Sequence, residues 1–280
     1  FDTKFKKAQD KGAVGVIIYN PDNSRPVQDM TGTDATVTIP GVLVNSEEGN
    51  IIKSKLDNNI NVNVSLQYKS RSLDGSVDNG IIAHEYTHGI TTRSTGNGST
   101  CLNPFYANEQ MGEGWSDFFA LMLTNRADAT SSQPRGVGTY VYNEPNSGTG
   151  IRPARYSPDF SVNPFTYGDT NGMAFDQGDG SYSLDVHSIG FVWATMLWDL
   201  HWNFADKYGF SNDIINHPES GSAKILQLVF SALKLQGCFP SFVKGRDAII
   251  AADQAINNGE NKCMIWKSFA RRGLGVNADP

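Results

Sequence analysis

The rhythm of apolar positions along this chain changes near residue 70. Before it, apolar residues come in short runs separated by polar clusters. Phe1-Asp2-Thr3-Lys4-Phe5-Lys6-Lys7-Ala8 is a Lys-rich amphipathic stretch, and Gly12 ends it in the manner of a helix C-cap. Ala13-Val14-Gly15-Val16-Ile17-Ile18-Tyr19 is a continuous apolar run bounded by Asn20-Pro21-Asp22-Asn23. Its shortness and β-branched content predict a buried strand. Ile39-Pro40-Gly41-Val42-Leu43-Val44 predicts a second strand. A helix follows to Lys55, capped by Asn45 or Ser46, with Glu47 and Glu48 in the first turn where the dipole favours acid. Ile60, Val62, Val64 and Leu66 alternate with polar residues, which predicts a half-buried strand. Residues 1–66 therefore read as a small α/β unit, and the polar, turn-rich 67–77 as a linker.

From residue 78 onward the apolar residues recur at helical spacing. Asp78 is the predicted N-cap of a helix through Ile90, closed by Gly89 and the run Thr95-Gly96-Asn97-Gly98-Ser99. Trp115, Phe118, Phe119, Met122 and Leu123 mark a largely buried helix beginning near Met111. Residues 128–183 are rich in Gly, Pro, Asn, Ser and Tyr. Their aromatic content predicts packed loops of the kind that wall a cleft. Asp185 opens a long helix whose interior is nearly all apolar, the mark of a central core helix. Three amphipathic helices follow at Ala223–Leu235, Phe242–Ile256 and Glu260–Arg272, separated by Gly237 and Gly259 and closed by Gly273. The predicted class is α+β, a small α/β segment followed by a mostly α-helical lobe.

The chain's 280 residues, 39% hydrophobic and 19% charged, suit a folded protein and argue against disorder. The net charge of −6 disfavours nucleic acid or an anionic membrane surface as partner. No apolar run reaches membrane-spanning length. The chain starts at Phe1 without Met or a signal peptide, so a processed product or a fragment is expected. Of three cysteines, Cys238 and Cys263 could pair across a helical segment, which leaves Cys101 odd. Three reduced cysteines are equally ordinary, so their number does not fix the compartment.

Candidate chemistry concentrates in a few residues. His84 and His88 are one helical turn apart on one face, a spacing that lets two imidazoles grip one zinc ion. Glu85, next to the first histidine, can reach a water at that ion. The bare His-Glu-x-x-His pattern is short enough to arise by chance, so a third ligand is needed. Glu113 and Asp117 lie four apart at the start of an otherwise apolar helix. One reading is a first-turn acid favoured by the helix dipole, which suits Glu113 better than Asp117. The other makes Glu113 the third ligand, with Asp117 accepting the far ring N–H of a ligating histidine. His187 starts a helix beside the loop region and is either a surface residue or a cleft residue. His201, among Trp198, Trp202 and Phe204, reads as packed, and His217 as a loop residue. Asp176, Asp179 and Asp185 raise calcium, but their spacing is not that of an EF-hand, and a turn-and-solvent reading ranks higher.

Two resemblances bear on these readings. The Lys-Gly-Ala-Val-Gly-Val-Ile strand, the Ile-Pro-Gly-Val-x-Val turn and the helix after it resemble a protease-associated domain entered partway through. Four further motifs are similar to the fungalysin family of secreted zinc endopeptidases. They are Gly80-Ile81-Ile82-Ala83-His84-Glu85-Tyr86-Thr87-His88-Gly89, Met111-Gly112-Glu113-Gly114-Trp115-Ser116-Asp117-Phe118, Asp185-Val186-His187-Ser188-Ile189-Gly190 and the tail from Ile265 to Asn277. The second resemblance runs from about residue 74 to the C-terminus, and makes 78–280 a thermolysin-like catalytic segment. It implies zinc held by His84, His88 and Glu113, with Glu85 as general base. It implies Asp117 behind the first zinc histidine, His187 as donor to the oxyanion, an extracellular location and protein or peptide substrates. Thermolysin-like enzymes also carry a β-rich lobe ahead of the zinc helix, whose edge strand aligns the peptide. Only protease-associated-type sequence precedes residue 70, so that lobe is expected to be absent here. A zinc-binding or protein-binding fragment without catalysis, and a zinc hydrolase acting on something other than peptides, are the rival readings.

Overall fold

The first two apolar runs pair with each other. In the computed structural model, which describes residues 1–20, 30, 32, 34–66, 73–103, 109–176 and 181–280, helix α1 (Asp2–Asp10) precedes strand β1 (Val16–Tyr19), strand β2 (Gly41–Val44) and helix α2 (Ser46–Asp57). The strands are parallel, with Val16 opposite Gly41 and Tyr19 opposite Val44. Asn45 caps α2 by accepting from the Glu48 N–H at 2.8 Å. Gly12 turns the chain after α1 at φ +86°, a conformation that favours glycine. The alternating segment 60–66 differs from expectation. It joins no sheet, and Ile60, Val64 and Leu66 are exposed. Alternation supplies two faces, but a strand also needs a neighbour for its backbone groups, and among the described residues none pairs with this segment.

The chain divides into two units, Phe1–Ser70 and Arg71–Pro280. Most of the expected linker lies outside the described residues. Its end belongs to the second unit, where the Leu73 N–H donates to the Val141 carbonyl at 2.9 Å and Gly75–Val77 forms a single 3-10 turn.

The second unit is helical. It comprises α3 (Asn79–Ser94), α4 (Gly112–Leu123), a two-stranded antiparallel hairpin of β3 (Ala174–Asp176) and β4 (Tyr182–Leu184), α5 (Val186–Tyr208), α6 (Gly221–Leu233), α7 (Phe242–Asn257) and α8 (Lys262–Arg271). Helix α3 runs through Gly89 and ends only at Thr95. Gly89 therefore does not close it, and the turn at Gly96, φ +55°, does. Helix α5 is apolar on every side because it is packed on every side. Phe191, Val192, Trp193, Met196, Leu197 and Trp198 are all fully buried. Trp193 stacks on Phe269 of α8 and meets Trp115 of α4 edge-on. Among the described residues no helix is long and apolar enough to cross a membrane.

Two contacts tie this core to its loops. The Arg272 guanidinium, fully buried, donates to both carboxylate oxygens of Asp199 at 2.8 and 3.1 Å and to the carbonyls of Ser157, Asn163 and Phe165. It pins the 157–165 loop onto α5. The second contact is a disulfide, and it corrects the expected pairing. Cys101 bonds to Cys238, while Cys263 is a free, exposed thiol. Cys238 and Cys263 flank α7, whose 16 residues span about 24 Å. Nearness in sequence therefore separates them in space. Cys101 and Cys238 are instead brought together by two turns that bond to each other. The Phe239 N–H donates to the Cys101 carbonyl at 3.0 Å, and the Gln236 amide to the Thr95 hydroxyl at 2.8 Å.

Candidate metal centre

The centre is built where α3, α4 and the start of α5 meet. Asp78 accepts from the N–H groups of Gly80 and Ile81 and so fixes the first turn of α3. One face of that helix then carries His84 and His88 toward α4. Helices α4 and α5 approach unusually closely at two glycines. A Cβ on Gly114 would lie 2.2 Å from the Gly190 carbonyl oxygen, and one on Gly190 would lie 2.6 Å from the Glu113 Cβ. This glycine-on-glycine crossing sets the two helix starts side by side. It brings Glu113 to His187, with His187 Nε2 and Glu113 Oε2 3.4 Å apart.

Three donor atoms converge on one point. His84 Nε2 lies 3.1 Å from His88 Nε2 and 3.0 Å from Glu113 Oε2, and His88 Nε2 lies 3.4 Å from Glu113 Oε1. Ligands about 2.0–2.1 Å from a tetrahedral zinc ion sit about 3.3 Å from one another, so the set has the right spacing for that ion. Two imidazole nitrogens and a carboxylate that face each other at this range repel unless a cation or a proton lies between them. Among the described residues they form the one group of His, Cys, Asp and Glu side chains able to hold a metal.

Behind the centre lies a buried carboxylate. His84 Nδ1 sits 2.7 Å from Asp117 Oδ1, so a ring N–H donated there leaves the Nε2 lone pair facing the other donors. Asp117 is fully buried and would be costly as a bare charge. Arg152 supplies the counter-charge, its Nε donating to Oδ2 at 2.6 Å and its Nη2 to Oδ1 at 2.9 Å. The Tyr156 hydroxyl donates to Oδ2 as well. Arg152 Nη2 also lies 3.5 Å from Glu113 Oε2 and so links both acids of α4.

These contacts set the charges. Burial pushes the Asp117 carboxyl up, but the Arg152 guanidinium and the bond from His84 outweigh it and hold the carboxyl well below the usual range. Burial likewise raises Glu113, yet its contacts with His84 and His88 and the nearby His187 pull it well below. Burial lowers His84, but Asp117 and Glu113 overcome that and lift it to about 9. A metal ion and a proton thus compete for the same nitrogen.

The remaining sequence-stressed residues fall as follows. Glu85 is exposed on α3, next to His84 in sequence. His187 is also exposed, while His201 is fully buried with its Nε2 3.2 Å from the Ser222 hydroxyl, and His217 lies in an exposed loop. Asp185 is engaged as the N-cap of α5, accepting from the Ser188 N–H at 3.0 Å. Asp179 and the Asp176 side chain lie outside the described residues. Sequence reasoning missed Arg152 and Tyr156. They sit in an irregular stretch where nothing sets Arg152 apart from Arg155. The one available signal was the need of a buried Asp117 for a cation and donors.

Comparison with known proteins places the chain among relatives. The model of the fungalysin metallopeptidase (M36) family matches residues 11–278. The chain is 42% identical over 214 residues to extracellular metalloproteinase 4 of Arthroderma benhamiae, covering 73% of this chain and 31% of that protein. It is 40% identical over 213 residues to extracellular metalloproteinase 2 of Arthroderma gypseum, covering 74% of this chain and 32% of that protein. The chain thus spans about a third of the length of these relatives. The family match takes in nearly the whole chain, including α3 and α4, and the chain belongs to the fungalysin metallopeptidase (M36) family.

Proposed function

We propose that this chain carries the zinc centre of a secreted endopeptidase that hydrolyses peptide bonds of extracellular proteins. His84, His88 and Glu113 hold the ion. The observation that carries the reading is the convergence of these three donors, at zinc-ligand spacing, in front of the Asp117 carboxylate. When bound, zinc acidifies a water and polarises the scissile carbonyl. Glu85, beside His84 and open to solvent, is the general base. It takes the attacking water's proton and delivers it to the leaving amine. His187, exposed next to Glu113, donates to the oxygen on which negative charge develops. Asp117 holds His84 in the tautomer that presents Nε2 to the centre.

Residues 1–66 are read as part of a protease-associated domain that presents substrate, and 78–280 as the zinc-binding part of a thermolysin-like catalytic domain. The second reading is a zinc-binding or protein-binding fragment without catalysis. Digestion of casein by the purified chain, with and without a chelator, separates the two. The expected result is cleavage that the chelator stops and zinc restores. Glu85→Gln is expected to retain zinc and lose cleavage; full activity in that variant would remove Glu85 from the reaction.

A further inference from the structure

The turn that ends the zinc helix carries an unassigned modification motif. Asn97-Gly98-Ser99 matches the Asn-x-Ser/Thr acceptor sequence for N-linked glycans. Asn97 and Ser99 are both exposed. The Asn97 Oδ1 accepts from the N–H groups of Ser99 and Thr100, each at 3.0 Å, and its Nδ2 donates to the Thr100 hydroxyl at 2.9 Å. Every one of these bonds spans two or three residues, so the turn can form in a chain that has not yet packed its core. That matters because such glycans are added before folding is complete. Gly98 adopts φ +75° within this turn, a conformation that favours glycine.

The compartment is consistent. The Cys101–Cys238 disulfide lies four residues beyond Asn97 and belongs to an oxidising environment. The relatives named above are extracellular fungal proteins. We propose that Asn97 is an N-glycosylation site, receiving an oligosaccharide from a lipid-pyrophosphate-linked donor in the secretory pathway. In the transfer, Nδ2 forms a bond to the anomeric carbon of the first sugar. The bond from that carbon to the pyrophosphate oxygen breaks, its electron pair leaving with the lipid pyrophosphate, and Nδ2 gives up one of its two protons, which balances the charge of the released pyrophosphate. The remaining N–H can still donate to Thr100, and Oδ1 keeps both of its bonds, so the turn survives modification. A second acceptor sequence, Asn63-Val64-Ser65, is exposed and lies outside any helix or strand, and it is not part of the proposal.

The proposal uses the extracellular part of the functional reading but not the zinc chemistry, and its readout involves no activity. The full chain is produced through a eukaryotic secretory pathway, and both the secreted and the membrane-enclosed pools are digested to peptides. Treatment with a peptide N-glycosidase in 18O-water then marks every formerly glycosylated asparagine as labelled aspartate in the mass spectrum. Label is counted only above that of the same digest without the enzyme, because Asn97-Gly98 also deamidates unaided. The expected result is label at position 97 in most molecules. Ser99→Ala keeps Asn97 and its backbone-donated turn yet is expected to abolish the label, as is Asn97→Gln. An unlabelled position 97 in the wild type, or label that persists in Ser99→Ala, overturns the proposal.

Discussion

Asp117 is held by three side chains behind the centre. It accepts from Arg152 and Tyr156 while facing His84 Nδ1, so its orientation is fixed from three sides. Partners of this kind typically change metal affinity by about 10- to 100-fold when lost. Tyr156→Phe removes one hydroxyl from a fully buried ring and keeps its contact with Phe191. Its zinc affinity, measured by competition with a chromophoric chelator, is expected to fall about tenfold while the circular dichroism spectrum is unchanged. Equal affinity in the two proteins would mean that Tyr156 only fills space. His201 supplies a different residue-scale test. Burial lowers its pKa from 6.5 to about 3, so between these values the unfolded chain binds a proton that the folded chain refuses. Stability therefore falls as pH drops through that window, by about 5 kcal/mol in full. Denaturation midpoints between pH 7 and pH 3 should decline less steeply in His201→Phe. Asp117 and Glu113, depressed in the fold, account for part of the slope that remains.

At the scale of elements, the glycine crossing of α4 and α5 decides whether Glu113 and His187 meet. Gly114→Ala puts a methyl 2.2 Å from the Gly190 carbonyl oxygen, which forces the helices apart. The expected cost is about 1–3 kcal/mol in stability, read from urea denaturation, together with weaker zinc retention. A variant as stable and as well loaded as the wild type would mean that the crossing tolerates more space than the geometry allows. The helices themselves were legible from apolar spacing and caps, because both are local: Asp78, Asn45 and Asp185 bond within three residues of themselves. The convergence of His84, His88, Glu113 and Asp117 was legible for a related reason, since each pair sits one turn apart on a single helix. What escaped depends on contacts distant in sequence. The partners of Asp117 lie 35 and 39 residues away. The partner of Cys101 lies 137 residues away. The alternation at 60–66 looked like a strand because periodicity records faces and not neighbours.

At the scale of the molecule, a disulfide just beyond the end of α3 ties it to the turn before α7. The Cys101–Cys238 bond closes a loop of 137 residues, and its removal by Cys238→Ser is expected to cost about 2–5 kcal/mol in thermal or chemical denaturation. No change in stability would show that the bonds from Gln236 and Phe239 suffice alone. The central claim is that two histidines of α3 and one glutamate of α4 hold a single zinc ion. The most direct test is zinc content per chain after exhaustive dialysis, measured by atomic emission for the wild type, Glu85→Gln and Glu113→Ala. The account predicts one zinc per chain in the first two and a severe loss in Glu113→Ala. Full zinc occupancy in Glu113→Ala would contradict it.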